Sequence, residues 1–148
     1  MKYDYYKELR ISEDYEIYDF TSTGIKGDII KRVRFELVEK PATYNLAFGN
    51  LMDDGDIDDY SISDNKDMAK ILASIAVIVK IFLKEYPERT VSFRGNTAER
   101  TRLYRMAIGN NLDELLDFFN IYGIQKGGEI SFFTRDEEYF AFLAKKKS

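Results

Sequence analysis

The chain has no histidine, no cysteine and no tryptophan, and only two prolines among its 148 residues. Without cysteine there is no disulfide framework and no thiolate nucleophile. Without histidine there is no Ser-His-Asp triad, no ordinary zinc site and no near-neutral proton shuttle. Catalysis would have to run on Asp, Glu, Lys, Arg, Tyr or Ser, so a non-enzymatic role is the favoured reading. Long hydrophobic runs are absent too. The longest, Ile71 to Val79, falls far short of the roughly 18 residues a membrane span needs. Strong positive charge is also missing. The formal net charge is −4, so bulk electrostatics recruit neither nucleic acid nor an anionic membrane. The opening MKYDYYKELR has no apolar signal-peptide core, which makes the cytoplasm the expected location. No motif calls for a cofactor.

What the chain does have is aromatic rings: 11 Tyr and 11 Phe, enough to dominate a core and part of a surface. Its 45% hydrophobic and 32% charged residues describe ordinary globular composition, and the length suits one domain over residues 1–148. The segment from Asn65 to Tyr86 organises the rest. Met68, Ile71, Leu72, Ile75, Val79, Phe82, Leu83 and Tyr86 recur at helical spacing. Val77, Ile78 and Ile81 lie off that stripe, so only Lys70, Lys80 and Lys84 supply a polar strip. This predicts a core helix with Ile75 and Val79 fully buried, capped by Asp64 or Asn65 and ended by Pro87.

Before that helix, alternation predicts strands. Residues 1–22 read as one or two strands, and Thr21 to Asp28 as a turn. In 29–38, Val33, Phe35 and Leu37 face one way and Arg32, Arg34 and Glu36 the other. Tyr44, Leu46 and Phe48 make the next strand, and a short one is expected near Tyr60 to Ile62. After the helix come a strand at Thr90 to Arg94 and a helix capped by Asn96 with Glu99 at N3. A short helical pattern follows over Leu112 to Asn120, with loops at Gly123, Gly127 and Gly128. Strands at Ile130 to Thr134 and Tyr139 to Ala144 close the chain as a hairpin. The predicted class is therefore α+β: an antiparallel meander of about four or five strands packed on a long central helix, then a strand, two short helices and a closing hairpin.

Three stretches could carry chemistry. Residues 53–67 hold seven Asp against one Lys. Asp54, Asp56 and Asp58 fit the first positions of a calcium loop, but Asp59 stands where Gly is needed and Asn65 where Glu is needed. A solvated acidic loop is the simpler account, and no metal ligand is assigned. The strand–Gly95–helix turn offers Arg94, Gly95, Asn96 and Arg100 as an anion or partner site. It lacks the Walker and G-x-G-x-x-G patterns. On that helix Leu103, Met106 and Ala107 are expected to face the core, Arg102 and Arg105 to point away, and Arg100 to lie on the apolar edge with a carboxylate or carbonyl partner. The third stretch is basic and aromatic: Arg32 and Arg34 on one strand face, and five Arg against one Glu in residues 89–105, could form a single-strand nucleic-acid face.

Four segments, YNLAFGNL, DDYSISDNKDMAKILASIAVIV, YPERTVSFRGNTAERTRLYRMAI and YFAFLAKKK, carry a family resemblance. Over about Tyr15 to Lys146 the chain resembles a family of small bacterial proteins of unknown function, common in Bacteroidetes. The Gly-Asn-Thr-x-x-Arg-x-x-Leu-Tyr-Arg element, Gly95 to Arg105, is its most specific part. One departure is Asn65-Lys66-Asp67, where the family more often has Asn-Gly-Asp. The resemblance implies a single-domain cytoplasmic bacterial protein and carries over no catalytic residue. The order of strands before the helix is also similar to single-strand nucleic-acid-binding folds, a weak guide to function. The leading expectation is an interaction module that binds a protein partner or itself. Single-strand nucleic-acid binding is the alternative, and an anion-binding or hydrolytic pocket around Arg94, Gly95 and Arg100 the third.

Overall fold

Period-two alternation builds one side of the molecule and helical periodicity the other. In a computed structural model describing residues 4–59 and 65–148, β3 (Ile29–Glu39) buries Val33 and Phe35 and turns Arg32 and Arg34 to the opposite face. It pairs antiparallel with β2 (Ile17–Ser22) and with β4 (Thr43–Leu51), and β1 (Arg10–Ile11) adds to β2. The short β5 (Ile57–Asp58) pairs with the far end of β4. The expected strand near Tyr60 to Ile62 lies outside the described residues, as does Asp64.

Helix α1 (Met68–Glu85) then crosses over to β6 (Thr90–Phe93), which lies parallel to β4. Parallel neighbours need such a crossover. The chain continues through α2 (Ala98–Asn110), α3 (Leu112–Leu115), β7 (Phe119–Ile124), β8 (Ile130–Phe132) and β9 (Ala141–Lys146). The described residues make an α+β fold around one open, mixed sheet of nine strands in the order β1-β2-β3-β4-β6-β9-β7-β8, with β5 on β4. No described helix is long and apolar enough to cross a membrane.

The C-terminal strands depart from the predicted hairpin. β8 and β9 do not pair with each other; β7 lies between them and pairs antiparallel with both. β7 occupies the end of the stretch expected to be helical, and α3 is correspondingly short. Its own alternation explains this: Phe119 and Ile121 are buried, and Asn120 and Tyr122 less so. Gly123 is no loop glycine. A Cβ there would meet the Tyr139 ring at 2.1 Å, so the ring packs flat on the strand only because the side chain is missing.

The core is aromatic on the meander side. Phe35 and Phe82 stack with centroids 3.9 Å apart, and Tyr18, Phe20 and Val33 are fully buried around them. Arg89, which the sequence did not single out, lies over the rings of Tyr86 and Tyr44 at 3.5 and 4.1 Å and pairs with Glu16. The helix is rotated from its predicted setting. Ile78, assigned off the stripe, is fully buried, whereas Ile75 is only half-buried. Val79 is buried as predicted.

Helix starts also differ from expectation. The residue before α1 is Asp67, whose carboxylate makes no cap hydrogen bond. It instead accepts from the Tyr6 and Ser22 hydroxyls at 2.5 and 2.6 Å. Asn65 is not a cap either: its amide donates to Ser22 and to the Gly27 carbonyl, tying the β2–β3 turn to the head of α1. In α2 the cap is Thr97, whose hydroxyl accepts from the Arg100 amide, and not Asn96.

Candidate binding groove

The Gly95–Arg105 element, the most specific part of the sequence, is built as a clasp. A Cβ on Gly95 would meet Arg100 Cβ at 2.4 Å and the Thr101 nitrogen at 2.5 Å, so glycine is what lets β6 run into the first turn of α2. The Gly95 amide donates to Thr101 Oγ1 at 3.0 Å and is therefore occupied. Asn96 Nδ2 donates to the Asp59 carbonyl at 2.7 Å, and Arg100 Nη1 donates to the same carbonyl. The carbonyl partner expected for Arg100 is thus that of Asp59, within the acidic stretch 53–67 that connects β4 to α1. Arg94 is exposed, with its guanidinium 4.5 Å from the centre of the Phe140 ring. Arg102 is exposed, and Arg105 donates to the Glu137 carbonyl at 3.3 Å.

The second set of predicted residues holds the same acidic connector at Gly55. Arg32 makes a two-pronged pair with Asp19, both contacts at 2.8 Å. Its Nη1 also donates to the Gly55 carbonyl at 3.0 Å, and Arg34 donates to that carbonyl at 2.9 Å. Arg32 and Arg34 therefore converge on Gly55, and Asn96 and Arg100 on Asp59. Within the connector, Asp54 and Asp56 accept backbone amides of their own turn, and among the described residues no three acidic side chains converge on a metal site.

An apolar concave feature lies elsewhere. Between α1 and α2, above the sheet, a cavity of about 300 Å³ opens to solvent. Met68, Leu72, Ile75 and Ala76 line it from α1, and Leu103, Met106 and Ala107 from α2. Phe93, Phe119 and Ile121 form its floor. The reason for the space is in the sequence. Ala69, Ala73 and Ala76 recur at helical spacing on α1 opposite Ala107 of α2, and four small side chains leave the two helices unfilled between them. Leu103 and Met106 were expected to face the core. They face the open groove instead, and remain 42% and 48% exposed; Met68 across from them is 45% exposed.

Tyr104 sits in the wall beside this space, edge-on to Phe93 at 6.1 Å. Burial pushes its hydroxyl pKa up, against the smaller opposing pull of Arg100. Asn111 closes one end, with its amide nitrogen on the Ala107 carbonyl at 2.8 Å. Among the described residues no titratable pair or nucleophile–base couple lines the groove, and its mostly apolar lining suits apolar groups. Sequence reasoning missed it because a groove depends on the spacing between two helices. The readable signal was the apolar girth of α1 together with Leu103 and Met106 on one face of α2.

No curated protein and no solved structure matches the chain. Residues 2–147 match a family of unknown function, DUF6934, and the chain belongs to that family.

Proposed function

We propose that this chain is a single-domain, cytoplasmic interaction module without catalytic activity, and that its site is the α1–α2 groove. The occupant is an amphipathic helix of a partner protein, laid between the two helices with its large apolar side chains inserted. The observation that carries this reading is the extent of the apolar surface. The cavity itself, about 300 Å³, is at the low end of the range for small-molecule pockets. Yet Met68, Leu103 and Met106 extend the apolar rim well beyond it. A small ligand would leave that rim wet; a helix would cover it. Two of the three rim residues are methionines, whose flexible thioethers adapt to varied apolar partners.

Of the groups that the other two readings draw on, Arg32, Arg34, Gly95 and Arg100 already have protein partners. A nucleic-acid face through Arg32 and Arg34 would compete with Asp19 and the Gly55 carbonyl. An anion pocket at Gly95 would compete with the bonds to Thr101 and Asp59.

The test pairs a groove-filling variant, Ala76→Phe, with a rim variant, Leu103→Glu. Nuclease-treated extract of the native host is passed over wild-type and variant protein. Helical segments of the captured protein are then synthesised and titrated. The expected result is a peptide that binds the wild type, loses affinity at least tenfold with either variant (about 1.4 kcal/mol), and binds Arg32→Ala normally. Peptides that bind all three proteins equally would reject the groove as the site.

A further inference from the structure

We propose that the free edge of β8 joins a second copy of this chain, β8 against β8, in an antiparallel two-fold dimer. The register of the β7–β8 pair decides which backbone groups are available. Phe133 N donates to the Ile121 carbonyl and Gln125 N to the Glu129 carbonyl, both at 2.9 Å, with Gly123 opposite Ser131 between them. Hydrogen-bonded pairs alternate along an antiparallel ladder. Glu129, Ser131 and Phe133 therefore bond to β7, and Ile130 and Phe132 direct their N–H and C=O groups outward. β8 ends the sheet, and no described strand receives those groups.

This edge is complementary to itself. A two-fold axis through Ser131 sets Ile130 opposite Phe132 of the second copy, and Phe132 opposite Ile130. Both positions are of the outward-bonding kind, so each pair closes two N–H···O bonds. The side chains match as well. Ile130 and Phe132 are 59% and 67% exposed, on the sheet face away from the helices, with Phe132 stacked on Tyr122 at 5.0 Å. Pairing lays the aliphatic Ile130 against the aromatic ring of the other copy, twice.

Charge complementarity points the same way. Lys126 lies before β8 and Asp136 after it, both exposed and with no ion-pair partner among the described residues. Antiparallel pairing brings Lys126 of one copy toward Asp136 of the other, at both ends. The opposite edge of the sheet is guarded differently: β1 is two residues long and includes Arg10. Ile130–Phe132 carries no charge, proline or bulge of the kind that blunts an edge. A ladder of three residues is far smaller than the roughly 800 Å² per partner of a standard interface, so the dimer is weak and forms at high concentration.

Sedimentation equilibrium from about 10 μM to about 1 mM spans that regime. The wild type is expected to pass from monomer to dimer. Ile130→Pro removes an outward N–H and leaves the β7 ladder intact, and should raise the dissociation constant about tenfold or more at an unchanged thermal midpoint. Lys126→Asp and Asp136→Lys should each weaken association, and the double variant should restore it. Ala76→Phe, which fills the groove, should dimerise like the wild type. A wild type that stays monomeric throughout overturns the proposal. So does association that is unchanged in the proline variant and in both single charge variants. If the proline variant does not fold, the charge swap decides alone.

Discussion

The two flanks of α1 are made from the same helix and behave differently. Toward β2, β3 and β4, Phe82 lies flat on Phe35 at 3.9 Å and Ile78 is sealed. Toward α2, the same helix presents Ala69, Ala73 and Ala76 to an open space of about 300 Å³. Large flat rings on one side give close packing and a fixed geometry. Small side chains on the other give surface that only a further molecule can bury. The lesson is that an all-round apolar helix need not be wholly internal; its apolar girth can serve the core and a site at once.

Truncations on the two flanks sharpen this contrast most. Phe82→Ala should lower stability by about 3–5 kcal/mol, because it removes a stacked ring from a site that cannot collapse. Val79→Ala, at the groove wall, should lower it by only about 1.5 kcal/mol, mainly the transfer term for its lost methyl groups. Urea denaturation of both variants measures the difference, and equal losses would mean that the groove flank is packed as tightly as the other.

The packed flank was legible in the sequence, and the open one only in part. Val33, Phe35, Tyr44 and Leu46 announced themselves by period-two alternation, and α1 by its stripe. The setting of α1 was misread at Ile75 and Ile78, since a helix apolar around its girth gives no unique inward direction. β7 was missed because leucines at helical spacing ran straight into its alternation, and Gly123 looked like a loop until Tyr139 was seen lying on it. Arg32, Arg34, Asn96 and Arg100 stood out in the sequence as candidates for two separate binding faces. What spacing could not reveal was that Arg32, Arg34, Asn96 and Arg100 all reach backbone carbonyls of one connector, Gly55 and Asp59, contacts that belong to tertiary structure.

That connector runs from β4 toward α1, and Arg100 ties it to the α2 side of the groove. Arg100→Lys keeps the charge but loses the planar fork that reaches Asp59 while the stem packs on Gly95. A loss of about 1 kcal/mol is expected, the ordinary contribution of one such hydrogen bond. Added phosphate should shift the melting temperatures of wild type and variant by the same amount, since the guanidinium already has a protein partner. A phosphate-dependent rise confined to the wild type would instead favour an anion site there.

A smaller gain is available at the head of α1, before its two flanks diverge. Lys66 has φ of 56°, a left-handed conformation that disfavours side chains. Lys66→Gly should therefore raise stability by about 0.5–1 kcal/mol, read as a shift in the urea midpoint without a change in slope. An unchanged or lower midpoint would mean that Lys66 makes compensating contacts.

The smallest effect concerns a buried cation on the packed flank. Lys31 shares the inward face of β3 with Val33 and Phe35 and is 4% exposed, donating to Asn50 Oδ1. Burial lowers its pKa below the ordinary 10.5; Asp67 opposes that shift and Arg100 adds to it. In the window between the lowered folded-state value and 10.5, the unfolded chain holds more protons than the folded one, so stability contributed at this site rises with pH. The buried tyrosines act in the opposite sense, and only above their ordinary value of 10.0. Burial raises Tyr104 and Tyr86, so their ionisation favours unfolding from there upward. Comparison of the wild type with Lys31→Met between about pH 7 and about pH 10 isolates the lysine. The wild type should gain on the variant as pH rises, with both proteins followed by urea midpoint. Parallel curves would mean that Lys31 is solvated when charged, and that the meander flank is looser at its β3 end than its rings imply.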